Sequence, residues 1–124
     1  MNRRVAAVVT DLFFVTKIAA TAEAAAVALE TLDVGAAKHR WTGAAAGPPP
    51  DLLLVDLALG EPALALIREL RASGATARLP VAGFYSHVDT ATREAALAAG
   101  VDPVLPRSAF VVKLPALLTS ERKA

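Results

Sequence analysis

The side chains best placed to do chemistry are two carboxylates, each closing an apolar run. Asp11 follows Val5-Ala6-Ala7-Val8-Val9-Thr10, and Asp56 closes Asp51-Leu52-Leu53-Leu54-Val55-Asp56. If the two lay ~5 Å apart, their repulsion at an effective dielectric of ~20 would be roughly 3 kcal/mol, enough to require a cationic partner or a raised pKa. A second grouping, Ser86-His87-Val88-Asp89, brings a hydroxyl, an imidazole and an acid into one short stretch. Neighbours along a strand end cannot adopt the relay geometry of a hydrolase, and the chain has no Gly-x-Ser-x-Gly elbow, so His87 is expected to be a loop residue. Lys38-His39-Arg40-Trp41 can be read as a basic docking patch with an aromatic anchor, or as a solvated helix face with Trp41 tucked on the core; we adopt the second reading. No Gly-x-Gly-x-x-Gly or Gly-x4-Gly-Lys-Ser/Thr run follows any strand, which argues against nucleotide binding of those kinds.

The elements that must position these groups follow from composition and periodicity. The chain has 124 residues, Lys+Arg 13 against Asp+Glu 12, no Cys, 55% hydrophobic and 5% aromatic content, consistent with one domain around one core. Without Cys there is neither a disulfide framework nor a thiolate zinc site, as in a reducing cytoplasm. The longest uncharged stretches, Trp41 to Pro50 and Leu79 to Val88, are too short to span a bilayer, and no export signal is visible, so a soluble cytoplasmic protein without membrane contact is expected. A net charge of +1 and few aromatics make nucleic acid an unexpected partner. Ala accounts for 29 residues, so Leu, Val, Phe and Ile must supply most of the core.

Short Val- and Leu-rich runs alternate with Ala-rich stretches of helical character, which is the rhythm of βαβ units and a parallel sheet. Strands are expected at Val5 to Val9, Leu29 to Val34 at an edge, Asp51 to Asp56 at the centre, Pro80 to Tyr85 and Val101 to Leu105. Helices are expected from Phe14 to Val27, from Ala36 to Ala46 before Gly47-Pro48-Pro49-Pro50, and from Pro62 to about Ser73-Gly74. A further helix runs from Thr90 to Ala99 with Asp89 as N-cap and Gly100 as C-terminal stop, and the last reaches about Ser120, with Pro115 kinking it or delaying its start. Five such units predict an α/β, flavodoxin-like doubly wound five-stranded parallel sheet of order 2-1-3-4-5, with Asp11 and Asp56 at the carboxyl ends of strands one and three.

These residues resemble the receiver domain of bacterial two-component response regulators. The resemblance rests on Val9-Thr10-Asp11, Pro50-Asp51-Leu52-Leu53-Leu54-Val55-Asp56-Leu57, Pro80, the run Arg93-Glu94-Ala95-Ala96-Leu97-Ala98-Ala99-Gly100-Val101-Asp102, and Leu105-Pro106-Arg107-Ser108. It implies that Asp56 corresponds to the aspartate that accepts a phosphoryl group from a histidine kinase, and Asp11 to one of two acids that help bind Mg²⁺. Several positions depart from the family pattern. Thr10 stands for the first acid, Val104 for the switch aromatic and Arg107 for the strand-five lysine, a planar fork in place of a point charge. Ser108 replaces the usual proline, the Asp56 to Pro62 loop is short and lacks Met-Pro-Gly, and the strand-four Ser/Thr position falls on Tyr85 or Ser86.

The expectation is therefore a stand-alone degenerate receiver, not an enzyme, with a pocket of Asp11, Asp56, Ser86 and Arg107 in which Arg107 replaces metal by pairing with Asp56. No cofactor is expected. No output domain is expected, so its effect would be delivered by binding a signalling protein or a second copy. By resemblance the partner face would lie on helix four, strand five and the last helix, at Arg93, Val101, Val104 and Phe110. The alternatives are a functional phosphoacceptor receiver, modified on Asp56 with Mg²⁺ held by Asp11 and Asp56, and a small-molecule sensor using the strand-end crevice.

Overall fold

The computed structural model describes residues 3–43, 46–86 and 90–119. Five strands, β1 (Arg4–Val8), β2 (Ala28–Leu32), β3 (Leu52–Asp56), β4 (Val81–Tyr85) and β5 (Val104–Pro106), form one parallel sheet of order β2-β1-β3-β4-β5. The helices are α1 (Leu12–Ala24), α2 (Val34–Trp41), α3 (Glu61–Ala72), α4 (Thr90–Ala99) and α5 (Arg107–Thr119), with a 3-10 turn at Leu57–Leu59. The predicted fold class and strand order are those observed. No helix among the described residues is long and apolar enough to cross a membrane.

Alternation along each strand sends successive side chains to opposite faces and divides the apolar residues into two clusters. One gathers Ala6, Val8, Leu53, Val55 and Val81 against Trp41, Leu66, Ile67, Leu70, Ala96 and Ala99 of α2, α3 and α4. The other gathers Val5, Ala7, Leu52, Leu54, Ala82 and Phe84 against Phe14, Ile18, Phe110, Leu114 and Leu118 of α1 and α5. β3 is buried at every position, as its unbroken Leu-Leu-Leu-Val run predicts for a central parallel strand.

The element boundaries differ from expectation where a polar side chain or a turn intervenes. Asp33, expected inside strand two, instead caps α2: its Oδ1 accepts from the Ala36 N–H at 2.7 Å, so β2 stops at Leu32. α2 then ends at Trp41, short of Ala46, because Trp41 turns into the core while Thr42 is extended. α1 ends before Val27 through a Schellman turn in which the Val27 N–H reaches the Ala22 carbonyl at 2.9 Å and Ala26 takes a positive φ of 57°. Pro115 neither delays nor ends α5, which runs from Arg107 through it. β5 is shorter than Val101 to Leu105, since residues 101–103 run beside β4 with only isolated bonds, Asp102 N–H to Val81 O and Gly83 N–H to Pro103 O, each 2.9 Å. The expected N-cap Asp89 lies outside the described residues.

Two glycines mark close approaches. A Cβ at Gly83, in β4, would stand 2.8 Å from Val101 Cγ1 and 3.1 Å from Leu57 Cδ1. Gly100, at a φ of +109°, leaves room for Arg71, whose guanidinium donates to the carbonyls of Thr76, Ala77 and Gly100. Because a branched Val cannot swing clear, Gly83→Ala is expected to cost about 1–3 kcal/mol. Val101→Ala alone should cost roughly 2 kcal/mol, and the double variant should fall short of the sum by at least ~0.5 kcal/mol. Urea denaturation of the four proteins checks this, and strict additivity would contradict the clash. Ala26→Gly, which relieves the left-handed alanine, should stabilise by about 0.5–1 kcal/mol in the same assay.

Candidate functional site

The site is built at the carboxyl ends of β1 and β3. Asp11 lies three residues beyond β1 and caps α1, its Oδ1 accepting from the Phe13 and Phe14 N–H groups at 2.9 and 3.4 Å. This cap could have been read from an aspartate placed just ahead of Leu-Phe-Phe-Val. Asp56 is the last residue of β3, and its Oδ1 accepts from the Ala58 N–H at 2.9 Å, which turns the chain into the 3-10 segment.

Arg107 opens α5 and brings its Nη2 to 3.7 Å from Asp11 Oδ2. The expected pairing of Arg107 with Asp56 is thus corrected, for the direct partner is Asp11. The reason is visible in what carries the guanidinium: its Cζ sits 4.1 Å from the centre of the Phe14 ring, on the same first turn of α1 that Asp11 caps. Phe14 in turn lies 5.0 Å from Phe84, and Phe84 stacks on Phe110 at 4.3 Å. An aromatic column therefore supports the cation from below, a role for Phe14 that the sequence reading did not assign.

Asp56 is buried, and burial is the main cause that pushes its carboxyl above the ordinary value of 3.8. The Ala58 N–H and the charge of Arg107 oppose that rise, and the charge of Asp11 adds to it. Electrostatically, Asp11, Asp56 and Arg107 form one neighbourhood with a net charge of −1 if all are ionised.

The remaining expected positions divide. Tyr85 packs against the α2–α3–α4 cluster, whereas by alternation Ser86 follows Phe84 and Asp56 toward the opposite side; Ser86 is exposed just past β4. His87 lies outside the described residues. Trp41 is buried as read, with Lys38, His39 and Arg40 exposed on α2. The expected partner face needs correction: Val101 and Phe110 are 0% exposed and Val104 9%, so none offers a surface. Val101 fills the space over Gly83, and Phe110 is locked in the aromatic column. Arg93 is exposed on α4, one turn before Leu97, which is 40% exposed. Other large apolar side chains in water are Leu12, Phe13 and Val112.

No protein-family model and no curated protein matches the sequence. Solved structures do match. A response regulator from Hahella chejuensis is 18% identical with a TM-score of 0.77, covering 99% of this chain and 100% of its own. The phosphorylated cyanobacterial phytochrome response regulator RcpA is 17% identical with a TM-score of 0.72, covering 95% of this chain and 89% of its own. The receiver domain of a Pseudomonas aeruginosa sensor histidine kinase, solved with magnesium in its active-site cleft, is 18% identical with a TM-score of 0.71, covering 97% and 100%. This chain has the receiver fold. Identities this low establish architecture, and the receiver frame places β3's terminal Asp56 where a carboxyl-end crevice is found in doubly wound sheets.

The donor set near Asp56 suits a divalent cation poorly. Among the described residues no cluster of three or more His, Cys, Asp or Glu exists. Asp11 already accepts two backbone N–H groups and holds a guanidinium, whose charge would repel an incoming cation.

The raised Asp56 carboxyl has a consequence for stability. The folded state holds this proton more tightly than the unfolded chain, so unfolding releases it between the two pKa values and stability falls as pH rises through that window. Asp56→Asn keeps an acceptor for the Ala58 N–H and removes the buried charge. It is expected to melt higher than wild type at neutral pH, with the advantage shrinking as pH falls toward the ordinary carboxylate value of 3.8. Thermal melts from pH 3 to 8, roughly spanning the titration range of carboxylates, check this; a pH-independent difference would contradict it.

Proposed function

We propose that this chain is a receiver-type signalling module of two-component systems that acts without phosphoryl transfer, by binding a signalling protein or a second copy of itself. The observation that carries this reading is the Arg107 guanidinium seated on Phe14 and paired with Asp11. An aspartyl-phosphate switch needs an acceptor carboxylate, a cation on the phosphoryl oxygens and a metal that offsets the crowded charge. Here the fixed cation is engaged with the acid that would otherwise share the metal. In this reading Arg107 offsets part of the acidic charge permanently, and neither Mg²⁺ nor catalysis is required.

The absence of an aromatic at Val104 supports the same reading, because no ring is available there to change rotamer on activation. Output would then come from surface complementarity, with Arg93 and Leu97 of α4 as the exposed part of the partner face. The rival reading, phosphorylation of Asp56, draws on the receiver fold and on the position of Asp56 at the end of β3.

Intact-mass analysis and two-dimensional NMR, with and without Mg²⁺ plus a small phosphodonor or beryllofluoride, separate the two. The expected result is no adduct and no Mg²⁺-dependent shift around Asp56 under conditions where an active receiver responds. An adduct that disappears in Asp56→Asn would overturn the proposal. Arg107→Ala tests the internal pairing. The ion pair is partly exposed and the ring contact adds modestly, so a loss of about 1 kcal/mol at neutral pH is expected, and unchanged stability would count against a structural role.

A further inference from the structure

At the amino-terminal ends of the strands lies a second concavity, of about 190 Å³, between Arg4, Ala28 and Glu30 of β1 and β2, Arg40 and Trp41 of α2, and the Pro48–Pro50 segment. A five-residue strand is about 16 Å long, so this cleft is remote from Asp56 and independent of the reading of that site.

Its construction is that of a preformed site. Ala6, Ala28, Trp41, Pro48 and Pro50 provide apolar walls, while the Leu29 side chain turns to the opposite face of the sheet. Arg4 fixes the proline wall, its Nη2 donating to the Pro49 carbonyl while its backbone N–H donates to Asp51 Oδ2 at 2.8 Å. The Gly47 N–H donates to the Arg40 carbonyl at 2.8 Å and ties the same segment to the end of α2. Across the mouth, Arg40 holds Glu30 through two N–O contacts of 2.8 Å, from Nη1 to Oε1 and from Nη2 to Oε2.

Charge and size narrow the ligand. Two guanidinium groups and the Glu30 carboxylate line the cleft, and the Asp51 carboxylate is bound to the Arg4 backbone N–H. Arg40 is the cation neutralised by Glu30. Arg4 donates from Nη2 to Pro49, and its planar fork carries five N–H donors in all with which to meet an acceptor. The volume equals the share of roughly six waters, below the 300–1,000 Å³ of drug-sized pockets, and accommodates a single ring with a short polar group. We infer that this cleft binds a small aromatic monocarboxylate, with its ring against Trp41, Ala28 and the prolines and its carboxylate on Arg4.

The test is an amide-proton NMR titration of the full chain with benzoate as probe and benzamide as its neutral isostere. Saturable shifts are expected at Ala28, Leu29, Glu30 and the Trp41 indole N–H. For a ligand of this few atoms a dissociation constant of about 1 mM is reasonable, with benzamide at least ~5-fold weaker for want of the charge-assisted contact. Arg4→Gln should weaken benzoate by about 10-fold. Ala28→Leu, which fills the cleft while leaving every charge in place, should abolish the shifts, and it decides the matter if loss of the Arg4–Pro49 contact unfolds the first variant. Asp56→Asn should bind benzoate as wild type does. Shifts that do not saturate, equal binding of benzamide, retention of binding in Ala28→Leu, or shifts centred on Asp56 would each overturn the assignment.

Discussion

Everything in this molecule is arranged around the burial of β3. A strand flanked by neighbours on both sides and covered by helices on both faces can carry no polar side chain except at its end, where the chain leaves the sheet. Asp56 occupies that end, and its burial there is the main cause that raises its carboxyl above the ordinary value. The same alternation that fills the two cores with Leu53 and Val55 on one side and Leu52 and Leu54 on the other determines which side of the sheet the acid leaves from.

The acids and the cation are coordinated through α1. Asp11 serves the helix before it serves any site, by accepting the N–H groups of the first turn, and Phe14 on that turn bears Arg107. Cap, ring and guanidinium are thus parts of a single packing unit whose foundation is the Phe14–Phe84–Phe110 stack. That coupling makes the position of Arg107 a property of the α1–α5 core as much as of the ion pair.

The large-scale order of the fold was legible in the sequence because the relevant signals are collective: five Val- or Leu-rich runs separated by Ala-rich helices admit few arrangements of a parallel sheet. The positions of Asp11 and Asp56 followed from it. What was not legible depends on single side chains with two possible uses. Asp33 reads equally as a strand residue or a helix cap, and only the core position of Trp41 decides where α2 can stop. Arg107 faces two acids from the sequence's point of view, and the choice of Asp11 rests on Phe14, which no linear spacing reveals. Val101 and Phe110 lie on elements that, in outline, belong to a surface. Their burial comes from Gly83, which opens space for the one, and from Phe84, which stacks on the other.

The Arg71 guanidinium joins the carbonyls of Thr76 and Ala77, midway along the α3–β4 connection, to that of Gly100 just past α4. β5, only three residues long, is the edge of the sheet with least bonding of its own. Opening the passage into β5 gives up the Arg71–Gly100 bond, while the same guanidinium keeps α3 joined to Thr76 and Ala77. The weakest edge is therefore tethered to the central layer by a charged hydrogen bond, which raises the free energy of its local opening above that of a freely fraying margin.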